Sequence, residues 1–141
     1  MARIKITLPD SFAFSCDIPV RITDLNYGGH VGNDTILSLI HEARVQYLKK
    51  FGMQELDFAG VGLIMGDAAI EFKSESFHGD VIRVWVKAAE FTKVSFDLYY
   101  KLEKTSGEAV AFAKTGMICF DYGKKKVVGI PDGVKEMMSE G

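Results

Sequence analysis

The chain has 141 residues, of which 48% are hydrophobic and 26% charged, and its formal net charge is −2. This length and composition predict one globular domain, residues 1–141, large enough to bury a core without disulfide or metal staples. The near-neutral balance gives no reason to expect nucleic acid or an anionic membrane as a partner. The apolar runs are also far too short to span a bilayer.

Cysteine and histidine usage indicates the compartment and limits the metal chemistry. Cys16 and Cys119 have no CxxC spacing, and the N-terminus lacks an apolar signal segment. We therefore expect a cytoplasmic protein whose thiols are reduced and buried in strands. His30, His41 and His78 are scattered along the chain, so we expect no metal site.

The first elements are a strand and a glycine-rich loop. Residues 12–22 read as a strand, with Pro19 near its edge or end. The following loop, which begins at Asp24, holds three glycines at positions 28, 29 and 32. Glycine-rich backbone that leads into a helix leaves free N–H groups beside a positive dipole end. Such a junction can hold a phosphate, a carboxylate or the oxygen of an activated carbonyl.

A long helix is predicted from about Asn33 or Asp34 to Phe51, where Gly52 ends it. Asn33, Asp34 and Thr35 are all competent caps, and the sequence does not choose among them. A broad apolar face contains Ile36, Leu37, Leu39, Ile40, Ala43, Val45, Tyr47, Leu48 and Phe51. The polar strip is narrow, and consists of Ser38, Glu42, Gln46 and Lys49.

Two expectations follow from this helical periodicity. A helix with so wide an apolar face is mostly wrapped by other structure. The side chain of His41 falls away from the polar strip, so we expect it to face packed structure. Glu42 falls within the strip, so we expect it to meet solvent.

The second half of the chain changes to a period of two after a loop at 52–61. Alternation predicts strands at 68–73, 82–88, 94–102 and 109–121, with a short extended segment at 127–130 and a terminal helix at 132–139. Gly116 is a candidate bulge or close backbone approach. One strand, one long helix and four or so antiparallel strands define an α+β architecture. One helix cannot cover such a sheet, so we expect a homo-oligomer.

Three segments of the chain resemble one known family. They are Asp24-x-Asn26-x-x-Gly29-His30-Val31-x-Asn33, then Ala43-Arg44 in the helix, and Gly79-Asp80. Together they resemble the hotdog-fold thioesterases of the 4-hydroxybenzoyl-CoA thioesterase-like branch, over nearly the whole domain. The resemblance implies a curled antiparallel sheet of about five strands wrapped around one long central helix.

The same resemblance implies a function. Such proteins hydrolyse acyl-CoA thioesters, which they bind across the interface of a homodimer or homotetramer. They need no metal or redox cofactor, since coenzyme A enters only as part of the substrate. An acyl-carrier-protein thioester is a further candidate substrate.

The chain departs from this family at both carboxylates on which the chemistry depends. The branch usually carries Asp-x-Asp, and its second Asp, the nucleophile or general base, corresponds to Asn26 here. A neutral amide cannot take a proton at neutral pH. A related branch uses Asn to orient the thioester or water, with a carboxylate on the helix as base. The matching helix position, fifteen residues after Asn26, is His41.

A catalytic set can still be assembled from the residues present. Neutral His41 can accept a proton from water, while Asn26 orients the water or the carbonyl. The backbone N–H of Gly29 or His30 can stabilise the oxyanion. The structural alternatives are that His41 is a core or interface histidine and that Asn26 is a turn residue.

Other residues are candidates for supporting or binding roles. Asp24 is a candidate substrate contact and is also expected to brace the loop by accepting backbone N–H bonds. Asp34 is a helix cap in the simplest interpretation, and a reserve base because of its place beside the loop. Tyr27 and Gly28 in the loop are candidate substrate contacts. Lys73, at the end of the second predicted strand, is a candidate for the CoA phosphates, although lysines are usually solvated.

Two other functions remain open at this stage. One is a hotdog dehydratase or hydratase, which uses a histidine with a carboxylate on the same fold. The other is a catalytically silent acyl-CoA-binding protein, which the missing acid at Asn26 favours. Hydration of an enoyl-CoA indicates the first, and binding without release of free thiol indicates the second.

Overall fold

The computed structural model describes residues 3–139 and contains one six-stranded antiparallel sheet and one long helix. The elements are β1 (Phe14–Pro19), α1 (Asn33–Lys50), β2 (Gly62–Phe72), β3 (Val81–Ala89), β4 (Ser95–Lys104), β5 (Ala109–Asp121), β6 (Lys126–Val127) and α2 (Val134–Ser139). The sheet order is β1-β3-β4-β5-β2, with β6 paired to β5. The predicted α+β architecture is confirmed, and the strand beyond the expected five or so is the two-residue β6.

The core lies between α1 and the inner face of the sheet. The alternation in β3, β4 and β5 places residues such as Val84, Tyr100 and Ala113 inside, where all three are fully buried. From the helix, Ala43 and Tyr47 are equally buried against them. Burying one large apolar side chain contributes about 1.5–3 kcal/mol, so this contact holds α1 against the sheet.

The helix boundaries agree with the sequence, but the predicted cap is wrong. α1 begins at Asn33, and Gly52 follows it with φ of 73°. The capping residue is Gly32, which makes no side-chain cap hydrogen bond. A Cβ at Gly32 would lie 2.7 Å from Asp34 Oδ1, so glycine leaves room for that carboxylate. Asp34 therefore lies in the first turn, where a negative charge interacts favourably with the helix dipole.

The expectation that α1 is mostly wrapped is wrong for the single chain. The exposed fractions are 42% for Leu37 and 44% for Val45. The His41 side chain between them is 57% exposed, so it does not face packed structure as predicted. Helical periodicity gives the direction of a side chain, but it cannot say whether the same chain covers it. Positions 37, 41 and 45 form one uncovered line along the helix, which we call the open stripe.

Strand β2 lies at one edge of the sheet and begins earlier than predicted. It pairs with β5 alone, and its register shifts between Met65 and Asp67. The irregularity is therefore at Gly66, while Gly116 is the close approach that its sequence position indicated. A Cβ on Gly116 would lie 2.5 Å from Asp67 Oδ1, which accepts the Gly116 N–H over 2.9 Å.

The outer face of the sheet carries large side chains that no element of the described chain covers fully. Trp85 and Tyr99 are there, both partly buried. The indole N–H of Trp85 donates to Glu103 Oε1 over 2.8 Å. This uncovered face agrees with the expectation that one helix cannot cover both sides of the sheet.

The two cysteines are free, and Cys119 is fully buried while Cys16 is partly so. Burial raises the pKa of each thiol to about 11. Within residues 3–139, no helix has the length and apolar character that crossing a membrane requires.

Candidate active site

Asp24 fixes the entry to the glycine-rich loop. Its carboxylate is buried, and its Oδ2 accepts the backbone N–H of Arg21 over 2.8 Å. The Arg21 guanidinium lies 3.4 Å from the same carboxylate. These contacts confirm the predicted bracing role. They also occupy the group that we had considered for substrate contact.

Residues 26–29 form a tight turn that engages the N–H groups of Gly28 and Gly29. The Gly29 N–H donates to the carbonyl oxygen of Asn26 over 3.0 Å, with Gly29 φ at 84°. The Gly28 N–H donates to Asn26 Oδ1 over 2.9 Å. The Gly29 N–H, one of the two candidate oxyanion donors, thus already has an acceptor within its own turn. Among residues 3–139, the N–H of His30 has none, so it is the remaining candidate.

Asn26 and Asp34 converge at the start of α1. A Cβ on Gly32 would lie 2.7 Å from Asp34 Oδ1 and 3.9 Å from Asn26 Nδ2. The amide nitrogen has no acceptor within the described part of the chain, because only Oδ1 is engaged by the turn. A donor, a carboxylate and the positive end of a helix thus surround the small space above Gly32. Such a set can hold a carbonyl oxygen and orient a water.

His30 lines a groove of about 270 Å³ between the start of α1 and the end of β2. Its Nδ1 lies 3.3 Å from the carbonyl oxygen of Val31, and its Nε2 lies 3.9 Å from Glu75 Oε1. The hydroxyl of Ser76, which belongs to the same groove, is buried without a hydrogen-bond partner among the described residues. The groove therefore combines polar side chains with His30, whose backbone N–H has no acceptor among the described residues.

Lys73 and Tyr27 differ in how free they are to meet a substrate. Lys73 lines the groove of His30, but its ammonium donates to Glu71 Oε2 over 2.8 Å and lies 5.0 Å from the ring centroid of Phe112. Tyr27 is fully exposed at the tip of the turn. Lys73 is thus held at the rim by its own neighbours, while Tyr27 is available to a substrate or a second subunit.

His41 is distant from the loop of its own chain. It lies nine positions after Gly32 on α1, about 13 Å along the axis at the usual rise per residue. It lines a different groove, of about 250 Å³, with Leu37, Met65 and Thr115. The structure therefore does not bring His41 and Asn26 to one carbonyl within a single chain.

A buried series of side-chain hydrogen bonds lies beneath His41. Arg44 is only 7% exposed, and its Nε donates to Glu55 Oε1. Its Nη1 donates to the Tyr100 hydroxyl over 3.2 Å, and that hydroxyl shares a 2.8 Å hydrogen bond with Thr115 Oγ1. Burial raises the pKa of the Tyr100 hydroxyl, so it stays protonated at neutral pH.

Sequence reasoning missed Glu55, whose Oε2 lies 3.6 Å from His41 Nε2. Glu55 belongs to the loop at 52–61, where no periodicity indicates the direction of a side chain. Its position between His41 and Arg44 depends on tertiary packing alone. The helical spacing of His41 and Arg44 on one side of α1 was the available signal, since an imidazole and a guanidinium side by side both favour a nearby carboxylate.

Within residues 3–139, no three His, Cys, Asp or Glu side chains are grouped as metal ligands.

Comparison with solved structures defines the class of fold. A 1,4-dihydroxy-2-naphthoyl-CoA thioesterase from Synechocystis superposes with a TM-score of 0.80 at 20% identity, over 89% of this chain and 94% of that one. A thioesterase from Thermus thermophilus, complexed with coenzyme A and Zn, gives 0.81 at 20% identity, over 94% and 96%. The architecture is the hotdog fold, as the resemblance implied.

Residues 20–138 match the family described as the thioesterase-like superfamily, and the chain belongs to it. It is 30% identical to a 1,4-dihydroxy-2-naphthoyl-CoA hydrolase from Thermosynechococcus vestitus, over 80% of each chain. A hydrolase of the same name from Microcystis aeruginosa is 29% identical, over 84% of this chain and 88% of its own. The predicted class of enzyme, a thioester hydrolase, is thereby confirmed.

Proposed function

We propose that this chain hydrolyses an acyl-CoA thioester by water attack, without a metal or redox cofactor. The observation that carries the proposal is the convergence of Asn26 and Asp34 over Gly32, beside the free N–H of His30. These groups supply hydrogen-bond donors and a carboxylate where a helix begins, which is the arrangement that a thioester carbonyl and its attacking water need.

The reaction can be written from these groups. Asn26 Nδ2 and the His30 N–H donate to the thioester oxygen while negative charge develops on it. Water forms the new C–O bond as a base takes its proton, and the C–S bond then breaks. The thiolate of coenzyme A leaves and takes up the proton from the base. A single oxyanion donor contributes about 10²- to 10³-fold to such a rate.

The base in this proposal is His41, contributed by a second copy of the chain. The 13 Å or so of helix between Gly32 and His41 separates the two groups within one chain. We place the second copy against the open stripe, whose side chains are exposed, and against β2, which is an edge strand of the sheet. A homodimer across this side would bring the loop of one copy toward the helix of the other. Asp34, which already lies beside Asn26, is the reserve base.

The acyl group is proposed from the relatives. Two relatives are named as hydrolases of 1,4-dihydroxy-2-naphthoyl-CoA, which carries a bicyclic aromatic acyl group. An aromatic acyl-CoA is therefore the first substrate to test, with an acyl-carrier-protein thioester as the comparison. The cytoplasm, where acyl-CoA is made and used, is the proposed location.

One observation favours a second candidate, a silent acyl-CoA-binding protein. Asn26 Oδ1 is engaged by the Gly28 N–H, as expected if Asn26 serves only the turn. No contact within the described residues distinguishes a hydratase in the same way.

Release of free thiol from a panel of aromatic and aliphatic acyl-CoAs tests the proposal. We expect turnover of at least one aromatic acyl-CoA, and a loss of about 10²-fold in kcat for Asn26→Ala. Glu42→Ala is the matched control, because this carboxylate on α1 pairs with Gln46 and not with the loop. Binding of every acyl-CoA without thiol release would contradict hydrolysis and would support the silent acyl-CoA-binding protein.

A further inference from the structure

We propose that Glu55 is a positioning residue, which orients His41 for proton transfer and is itself held by Arg44. This inference rests on the proposed function, because it assigns a role to a neighbour of the proposed base. Three contacts support it: Glu55 lies within ion-pair distance of His41, Arg44 donates a hydrogen bond to Glu55, and Arg44 is hydrogen-bonded to Tyr100 in the sheet.

The two oxygens of the Glu55 carboxylate face different partners. Oε1 accepts from Arg44 Nε, while Oε2 faces His41 Nε2 at 3.6 Å. This separation is within ion-pair distance and a few tenths of an ångström beyond a hydrogen bond. The half-exposed imidazole is free to turn and close that gap, and catalytic hydrogen bonds commonly tighten when substrate is bound.

Glu55 cannot easily move away from this position. Its carbonyl oxygen accepts the N–H of Leu63 over 2.7 Å, which ties its backbone to the start of β2. Its side chain is held by Arg44, whose Nη1 is bound to the Tyr100 hydroxyl in the core. Because Tyr100 is tied in turn to Thr115 on β5, two strands of the sheet fix the position of the carboxylate.

This arrangement selects one tautomer of His41. A carboxylate at Nε2 favours the form with the proton on Nε2, which leaves Nδ1 as the acceptor for the proton of water. The carboxylate also stabilises the imidazolium formed during the reaction. The proton then moves from Nδ1 to the departing thiolate, so the imidazole returns to its starting form.

Other charges around His41 do not compete for this role. The helix contributes Arg44, whose guanidinium is turned toward Glu55, and Glu42, whose carboxylate accepts from Gln46. From the sheet, the groove receives Met65 and Thr115, which are uncharged. Among residues 3–139, Glu55 is the carboxylate found within ion-pair distance of the imidazole.

The test compares Glu55→Gln with wild type by ¹⁵N NMR of the imidazole and by steady-state kinetics. Glutamine keeps the size of the side chain and an oxygen for Arg44, but presents an NH₂ group to His41. We expect the ring to shift toward the form with the proton on Nδ1. We also expect kcat to fall at least about tenfold with KM nearly unchanged, since an orienting carboxylate acts on the proton-transfer step. Glu42→Gln, the matched control, should change neither.

The outcomes separate this inference from the proposed function. An unchanged tautomer or an unchanged kcat in Glu55→Gln overturns the positioning role. Full activity in His41→Ala overturns the base assignment instead, while the NMR comparison still reports whether Glu55 orients the ring. Equal melting temperatures for Glu55→Gln and wild type show that a kinetic loss is not a loss of folding.

Discussion

Arg44 and Tyr100 share a 3.2 Å hydrogen bond in the core, between the one buried cation of the described helix α1 and a fully buried phenol. Their bond links α1 to β4, and Thr115 extends it to β5. A buried polar group that loses its partner costs about 1–3 kcal/mol. The stability of the sheet therefore depends on a group that also lies beneath the candidate site.

Tyr100→Phe should lower the free energy of unfolding by about 1–3 kcal/mol, because it leaves Arg44 and Thr115 without their shared partner. Urea unfolding measures this change. Tyr99→Phe is the control, since Tyr99 lies on the outer face of the sheet and its hydroxyl has no partner within residues 3–139. Equal losses in the free energy of unfolding for the two variants would show that the hydrogen bonds of the Tyr100 hydroxyl contribute nothing.

Gly32→Ala should disturb the space in which Asn26 and Asp34 converge. Its new Cβ would meet Asp34 Oδ1 at 2.7 Å, so the carboxylate must move. We expect a loss of about 1 kcal/mol in stability and a reduced turnover. The double variant Gly32→Ala/Asp34→Ala should recover part of the stability, because the clash is gone. Strict additivity of the two stability changes would contradict the geometry.

The choice of base is tested with His41 and Asp34. His41→Ala should reduce kcat by ~10²-fold or more, the usual size of a general-base effect. The pH–rate profiles of wild type and variant should differ in shape, because the variant lacks the group that takes the proton of water. Asp34→Ala should reduce kcat less than His41→Ala does, because in this proposal Asp34 helps to orient the water while His41 takes its proton. Abolished turnover in Asp34→Ala, with His41→Ala unaffected, would make the carboxylate at the helix start the base.

Alkaline pH should weaken the fold. Burial raises the pKa of Cys16 and Cys119 from 9.0 to about 11, and that of Tyr47 from 10.0 to about 12. Above pH 9 the unfolded chain releases protons that the folded chain retains, so the free energy of unfolding falls as pH rises. The stabilising effect is complete below pH 9 and is lost between about pH 9 and 12.

Urea unfolding at pH 7, 9 and 10 measures this dependence. The Cys119→Ala variant should show a shallower decline, because it removes one of the three groups. Cys119 should also react with a thiol reagent at neutral pH only after unfolding, since both its burial and its raised pKa protect it. A free energy of unfolding that is constant from pH 7 to 10 would show that ionisation of these buried groups is not coupled to unfolding.

The open stripe should be covered in solution by a second copy of the chain. Val45→Glu introduces a charge into that stripe, so we expect it to shift a dimer toward monomer in sedimentation at micromolar concentration. Met137→Glu is the control, because Met137 is similarly exposed but lies on α2, which packs on β3 and is separated from the edge strand β2 by β4 and β5. A well-folded wild-type monomer at this concentration would remove the proposed two-chain site.

Strands β3, β4 and β5 were predicted closely because one side of each faces the core and the other faces outward. β2 was predicted only from residue 68, since the shift at Gly66 interrupts the alternation and its first residues are apolar on both sides. The loop was located correctly by its glycines. Which of its N–H groups remain free was not predictable, because the Gly29 bond depends on the turn that forms.

The outward direction of His41 and the role of Glu55 lay beyond sequence reasoning for different reasons. A helical wheel assigns His41 to the apolar side, but the sheet of one chain does not extend over that part of α1. Glu55 follows the helix in an irregular loop, and its contacts with Arg44 and His41 come from folding back onto the helix. Both facts depend on packing between segments, about which periodicity carries no information.

The single tryptophan gives the chain a built-in optical probe of one side only. Trp85 lies on the outer face of the sheet, bound to Glu103. The groove of His30 is formed by the loop, α1 and the end of β2, and the groove of His41 by α1, β2 and β5. The emission of Trp85 should therefore respond when copies associate through the outer face, and stay constant when an acyl-CoA without its own absorption occupies a groove. One fluorescence titration thus distinguishes assembly of this face from occupation of the site.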